Sequence, residues 1–151
     1  MKSVISDFES GLLNACEIEL PGAKKDACFF HLRQCWKRAL NEYNLTKKFL
    51  QDQSFKFSFN CLSALAFVKP EDVEHCFDLL LNHQDFHPDL KRYAERYFKP
   101  TWIRQDDGVK PRYSSDTWNV YERCVFSKII LSLDPSFISF LAFIYFQSKL
   151  T

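Results

Sequence analysis

Apolar residues recur every three or four positions through most of this chain, which is the spacing of one face of an α-helix. Leu32, Trp36, Ala39 and Tyr43 form one such stripe, with charged residues between them. Proline, glycine and short polar clusters separate the stripes, as is usual where helices begin and end. The pattern predicts helices over residues 8–19, 32–44, 47–51, 55–66, 69–80 and 87–98, a helix starting at Trp118, and a helix over 136–146. The polar stretch 105–115 predicts the one extended loop.

Two short segments interrupt the helical pattern and predict strands. One ends at Val4-Ile5, just before Asp7. The other covers residues 23–29, so Cys28 lies at its end and His31 follows it. In both places a short apolar run ends at a polar or metal-capable side chain where a helix starts, which is how a strand brings a reactive group to a sheet edge. The order strand, helix, strand is a crossover unit. We therefore expect the two strands to pair in parallel within a larger sheet.

The composition favours helices joined by short connections. Only 3 Gly and 6 Pro occur among 151 residues, which argues against an all-β or loop-rich chain. Hydrophobic residues make up 46%, including 16 Phe, enough for the core of one domain. With 20 basic and 19 acidic residues, the formal net charge is +1. No global field would draw such a chain to nucleic acid or to an anionic membrane, so any such contact would be local.

The cysteines and the two ends of the chain indicate the compartment. Six cysteines stand at scattered, mostly apolar positions, which predicts buried thiols and no disulfide framework. The apolar part of the first residues is too short for a secretory signal. The apolar run 136–146 has eleven residues, whereas a membrane-spanning helix needs about 20. We expect a reducing intracellular compartment, no secretion and no membrane contact.

Five sequence segments together resemble a known family. They stand in the family's order over residues 5–124, and five weak motifs in register are specific where any one alone is not. They are Ser6-Asp7-Phe8-Glu9, Cys28-Phe29-Phe30-His31-Leu32-x-Gln34, Ala64-Leu65-Ala66-Phe67-Val68-x-Pro70-Glu71-Asp72-Val73, Tyr97-Phe98-x-x-Thr101-Trp102-Ile103 and Trp118-Asn119-x-Tyr121. In these segments the chain resembles the catalytic region of Mutator-like element (MULE) transposases.

The resemblance implies an RNase H-like α/β core in which an Asp, Asp, Glu triad holds two Mg²⁺ or Mn²⁺ ions that cut and rejoin DNA. It places Asp7 at the second Asp of that triad and makes residues 36–118 a helical insertion lobe. Residues 1–35 would be a partial core with two short strands, and 119–151 a diverged C-terminal helix. The expected fold class is mainly α with a small β part, the expected partner is DNA, and the expected location is the nucleus or the cytoplasm.

The sequence departs from the family's pattern at both other triad positions. The first Asp would precede Asp7 on an earlier strand. The family's Asn-Asn and Glu-Gly-Trp are missing after Trp118-Asn119-x-Tyr121, where Glu122 runs into an apolar tail. One carboxylate alone cannot hold two metal ions. We therefore expect a truncated, catalytically incomplete transposase derivative that does not cleave DNA.

The candidate site residues also have simpler interpretations. Asp7 could act only as the N-cap of the following helix. Cys28 and His31 form a Cys-x2-His pair that could bind Zn²⁺, with His75 and Cys76, or with His83 and His87, as further ligands. The alternative is a packed Cys28 thiol and a hydrogen-bonded His31.

Two other functions compete with the transposase derivative. A helical module could bind protein or DNA without catalysis, or an active enzyme could assemble with the first Asp from another chain. An open sheet edge at the short strands would favour self-association. The small basic clusters, such as Arg33-Lys37-Arg38, resemble solvated helix faces, and Trp36, Trp102 and Trp118 are interpreted as core anchors rather than base-stacking platforms.

Overall fold

The computed structural model describes residues 3–6, 24–125 and 142–143, and it is mainly helical, as the sequence predicts. The predicted helix over 8–19, with Asp7 before it, lies outside the described residues, as does most of 136–146. Among the described residues no helix is both long and apolar enough to span a bilayer. The helices are α1 (Phe29–Glu42), α2 (Thr46–Gln51), α3 (Gln53–Ala64), α4 (Val73–Leu81), α5 (Pro88–Tyr93), a π-helix continuing α5 (Ala94–Ile103), α6 (Ser115–Trp118) and α7 (Tyr121–Val125), with 3-10 turns at Leu65–Phe67 and Pro70–Asp72.

Two short strands precede the helices. Strand β1 (Ser3–Ser6) pairs in parallel with β2 (Lys24–Ala27), in a register that joins Ser3 to Lys24 and Ser6 to Ala27. The two strands lie close to the predicted positions and run in the predicted direction, while the larger RNase H-like sheet stays a prediction. Within the described residues the sheet has these two strands, and α6 lies beside β2.

The core lies between α1, α3, α4 and the π-helix. Leu32, Trp36 and Leu40 on the predicted stripe of α1 are at most 1% exposed. Helix α1 ends at Glu42, close to the predicted end, and Asn44 follows with a φ of 58°, in the left-handed region that Asn tolerates well. Helix α3 is buried on several faces, because its apolar residues are spread around the helix.

The helix predicted over 87–98 does not end before Pro100. The chain continues in a wider π-helical turn through Pro100 to Ile103, although proline cannot donate a backbone hydrogen bond. Two interactions offset that loss. Trp102 is 1% exposed in the core, and the carbonyls of Pro100 and Thr101 accept hydrogen bonds from the N–H groups of Arg112 and Tyr113. Tertiary packing therefore overrides the local helix-stopping preference of proline.

The prediction of a single helix starting at Trp118 is also wrong. Helix α6 ends at Trp118, two residues outside any helix follow, the first of them extended, and α7 begins at Tyr121. The break has a physical cause, because Val120 N–H bonds to the Ala66 carbonyl and the Asn119 side chain bonds to the Val68 carbonyl. Those carbonyls belong to a distant segment, so the local pattern around residue 118 could not predict the break.

Candidate functional site

Cys28 and His31 lie at the start of α1, one turn apart. Cys28 is the N-cap residue, and its carbonyl accepts a hydrogen bond from Leu32 N–H at 3.0 Å, but its side chain makes no capping bond. Both side chains are half-buried. The exposed ring of Phe30 meets the His31 imidazole edge-on, with 5.7 Å between the ring centroids. The structure therefore puts the predicted pair at one helix end with both side chains partly open to solvent.

The other residues considered as zinc ligands do not join this pair. His75 is exposed and Cys76 is fully buried on α4. Nδ1 of His83 and Nδ1 of His87 each accept a backbone N–H two residues ahead, at 3.2 Å, so these nitrogens are already occupied. In the described part of the chain, no three His, Cys, Asp or Glu side chains converge on one point. Tetrahedral zinc needs three or four protein ligands.

A polar cluster that the sequence analysis missed is centred on Asp52. One carboxylate oxygen accepts the N–H groups of Ser54 and Phe55 at 2.9 and 3.1 Å, which caps α3. The other lies 3.2 Å from Nε2 of His87. Since Nδ1 of His87 is an acceptor, the ring proton is assigned to Nε2, which donates to Asp52. The signal available in the sequence was an Asp just before an apolar helical stripe.

The charge state of Asp52 follows from these bonds. The Phe55 N–H and the Ser54 hydroxyl hold the pKa of this carboxyl below its usual range, and His87 adds to the effect. The Ser54 hydroxyl donates to Asp52, so it is not paired with His87 as a nucleophile is with its base. The cluster caps α3 and α5 and ties them together, which is a structural role.

Two tryptophans of the motif segments, Trp102 and Trp118, meet Trp36 in the interior. Trp36, Trp102 and Trp118 form a triangle of edge-to-face rings, with centroids 5.9, 6.0 and 6.4 Å apart. All three are at most 1% exposed, which confirms the prediction that they are core anchors. Nε1 of Trp118 donates to the Trp102 carbonyl at 3.1 Å. Three separate segments of the sequence are joined at this triangle.

The motif segment 64–73 joins through Asn119, which makes two hydrogen bonds. Its Nδ2 donates to the carbonyl of Val68 at 2.7 Å, and its Oδ1 accepts the N–H of Tyr121 at 2.8 Å. The neighbouring Val120 N–H donates to the carbonyl of Ala66 at 2.8 Å. We call these three bonds the Asn119 clamp. It fixes the segment after α6 against the 3-10 turn at Leu65–Phe67.

The remaining acids and thiols offer little reactive chemistry. Asp7, the expected catalytic carboxylate, lies outside the described residues, and Glu122 is exposed on α7. Burial raises the pKa of the Cys61 thiol, which makes it a poor nucleophile. Burial also raises the pKa of Tyr93, whose hydroxyl donates to the Trp36 carbonyl at 2.9 Å.

In comparisons with known proteins, the chain matches no family model and has no significant match among curated protein sequences or solved structures.

Proposed function

We propose that this chain derives from the catalytic region of a MULE transposase and retains its helical lobe without a complete metal site. The observation that carries the proposal is the meeting of the motif segments. Residues from three of the five segments, far apart in sequence, are joined by the contact of Trp118 with Trp102 and by the Asn119 clamp. Chance matches to short motifs would not be expected to converge on one interior site.

The parallel strands give a second line of support. Ser6 ends β1 and Ala27 ends β2, and these two residues are paired. In the sequence, Asp7 and Cys28 follow directly. The carboxyl ends of parallel strands share one edge of a sheet, which is where α/β proteins bind ligands. Under the proposal, Asp7 is the carboxylate that remains at this edge.

The proposed chain does not cleave DNA. Two-metal phosphoryl transfer requires several carboxylates to bridge the attacking and leaving oxygens. Here Glu122-Arg123-Cys124 stands after Tyr121, where the family has its Asn-Asn and its Glu. The lobe then serves as a scaffold, with DNA as the ancestral partner.

A nicking assay tests the absence of catalysis. The purified chain is incubated with supercoiled plasmid in Mg²⁺ or Mn²⁺ and compared with Asp7→Asn and, as a matched control at an exposed position, Asp107→Asn. We expect all three proteins to leave the plasmid intact. Metal-dependent nicking that Asp7→Asn abolishes and Asp107→Asn leaves unchanged would overturn the proposal of an incomplete site.

The ancestry has its own test in the flanking transcript. Sequencing on both sides of this reading frame should give an upstream strand ending in Asp, or a downstream Asn-Asn with a Glu, if the chain is a piece of an intact transposase. Flanking sequence with neither, together with unrelated coding regions, would count against the ancestry.

A helical interaction module is the second candidate, and exposed apolar side chains favour it. Phe30 is 64% exposed and Leu50 is 72% exposed, on α1 and α2. Such side chains are common at protein interfaces. Size-exclusion chromatography with light scattering separates the candidates, because an open sheet edge predicts aggregation and an interaction module predicts a clean monomer.

A further inference from the structure

Three basic side chains meet on the surface between α1 and α3. Arg33 and Lys37 lie one turn apart on α1, and Lys56 lies on α3. The ammonium groups of Lys37 and Lys56 are 5.1 and 5.8 Å from the centroid of the same ring, Phe49. Arg33 donates to Asn60, one turn further along α3. The two helices and this ring therefore hold the three cations together, and we call them the basic cluster.

No carboxylate neutralises the basic cluster within the described part of the chain. Other cations there, such as Lys99 and Arg104, pair with aspartates, whereas Arg33, Lys37 and Lys56 have no acid within 4 Å among the described residues. Partial burial lowers the pKa of Lys37, and the charges of Arg33 and Lys56 lower it further. Like charges held together without an acid disfavour the folded state, and a bound anion would reverse that penalty.

The donors of the basic cluster suit a phosphate group. Arg33 donates one hydrogen bond from Nη2 to Asn60. The buried Nε of Arg33 has no hydrogen-bond acceptor among the described residues. A guanidinium has five N–H donors in a planar fork that matches phosphate oxygens, and an ammonium adds three more. Burial also lowers the pKa of Arg33, so an anion here would offset part of the cost of taking that charge out of water.

We propose that Arg33, Lys37 and Lys56 form a binding site for a phosphate group, carried either by a small free ligand or by a nucleic-acid backbone. The proposal goes beyond the transposase ancestry and does not depend on it. The three residues come from two helices, and only Arg33 and Lys37 are neighbours in a sequence pattern. The fold brings the third charge, that of Lys56, next to the other two.

Two titrations of the full chain test the site. Inorganic phosphate is added at constant ionic strength, balanced with sodium chloride, while thermal stability is measured. A fluorescently labelled DNA duplex is titrated separately by anisotropy. Lys37→Gln and Lys56→Gln remove one charge each and break no hydrogen bond between described residues. Lys91→Gln, at an exposed position on α5, is the matched control.

We expect saturable stabilisation by phosphate that either cluster variant weakens about tenfold, as for loss of a charge-assisted hydrogen bond, while Lys91→Gln keeps the wild-type affinity. If the source is a nucleic-acid backbone, the duplex also binds, and each cluster variant reduces the salt-dependence slope by about 1. Phosphate binding without duplex binding identifies a small phosphate ligand. Absence of saturable phosphate binding, or equal affinity in the cluster variants and the control, overturns the proposal.

Discussion

The Asn119 clamp gives the sharpest test of how the lobe is held together. Replacing Asn119 with Ala removes both side-chain bonds, the one donated to the Val68 carbonyl and the one accepted from Tyr121 N–H. Val68 is 3% exposed, so water cannot readily replace the lost donor. Leaving a buried acceptor without a partner costs about 1–3 kcal/mol, and losing the hydrogen bond from Tyr121 N–H costs about 1 kcal/mol.

These terms predict that Asn119→Ala lowers the free energy of unfolding by roughly 2–4 kcal/mol. For a chain of this size, each kcal/mol lowers the melting temperature by about 2–4 °C. Asn119→Asp separates the two bonds, because its carboxylate still accepts Tyr121 N–H but now faces the Val68 carbonyl with an oxygen. We expect it to be no more stable than Asn119→Ala, although it keeps the hydrogen bond from Tyr121 N–H.

Urea unfolding followed by tryptophan fluorescence is the assay, with circular dichroism to check that the two transitions coincide. The matched control is Asn82→Ala, which also removes an amide bond to a carbonyl, that of Asp78 at 2.8 Å, but at an exposed helix end. That change should cost less than about 0.5 kcal/mol. Equal losses in Asn119→Ala and Asn82→Ala would refute the claim that the clamp holds the segment after α6.

Three further predictions concern Asp52, the thiols and zinc. Asp52→Ala should lower the melting temperature at neutral pH. Because the folded-state pKa of Asp52 is depressed, this difference should vanish as the pH falls through that pKa, and a difference that persists in acid would contradict it. Cys61 should react with iodoacetamide only after unfolding, since burial raises its pKa and shields it; peptide mass spectrometry showing native labelling would count against this. Native mass spectrometry should find no stoichiometric zinc, and one ion lost in Cys28→Ser would establish the zinc site instead.

The sequence predicted those parts of the fold that depend on local periodicity. The stripe of α1 follows from residue spacing alone, because Leu32, Trp36 and Leu40 recur on one face of the helix. The failures at Pro100 and Trp118 share one cause. In both places backbone groups of a distant segment form hydrogen bonds that change the local conformation, and the bond from Asn119 to Val68 spans 51 positions. No window of local sequence contains that information.

The basic cluster likewise depends on contacts between segments that are far apart in the sequence. In the sequence, Arg33 and Lys37 resemble part of a solvated helix face, and Lys56 is an isolated lysine on another helix. The antiparallel approach implied by the Arg33–Asn60 bond and by the shared Phe49 ring brings them together. Sequence motifs therefore cannot identify a site formed by two helices, although each helix was predicted correctly.

The residues that carry the resemblance and those that would carry the chemistry form separate sets. Trp102 and Trp118 are buried and pack against Trp36, so their agreement with a family pattern bears on the packing of the helices. Asp7 would bear on catalysis, and a carboxylate binds two metal ions only with partners around it. A lobe can keep its packing after the metal site is lost, because the tryptophan triangle and the clamp involve no titratable side chain. Activity and ancestry must therefore be tested separately, by nicking and by the flanking transcript.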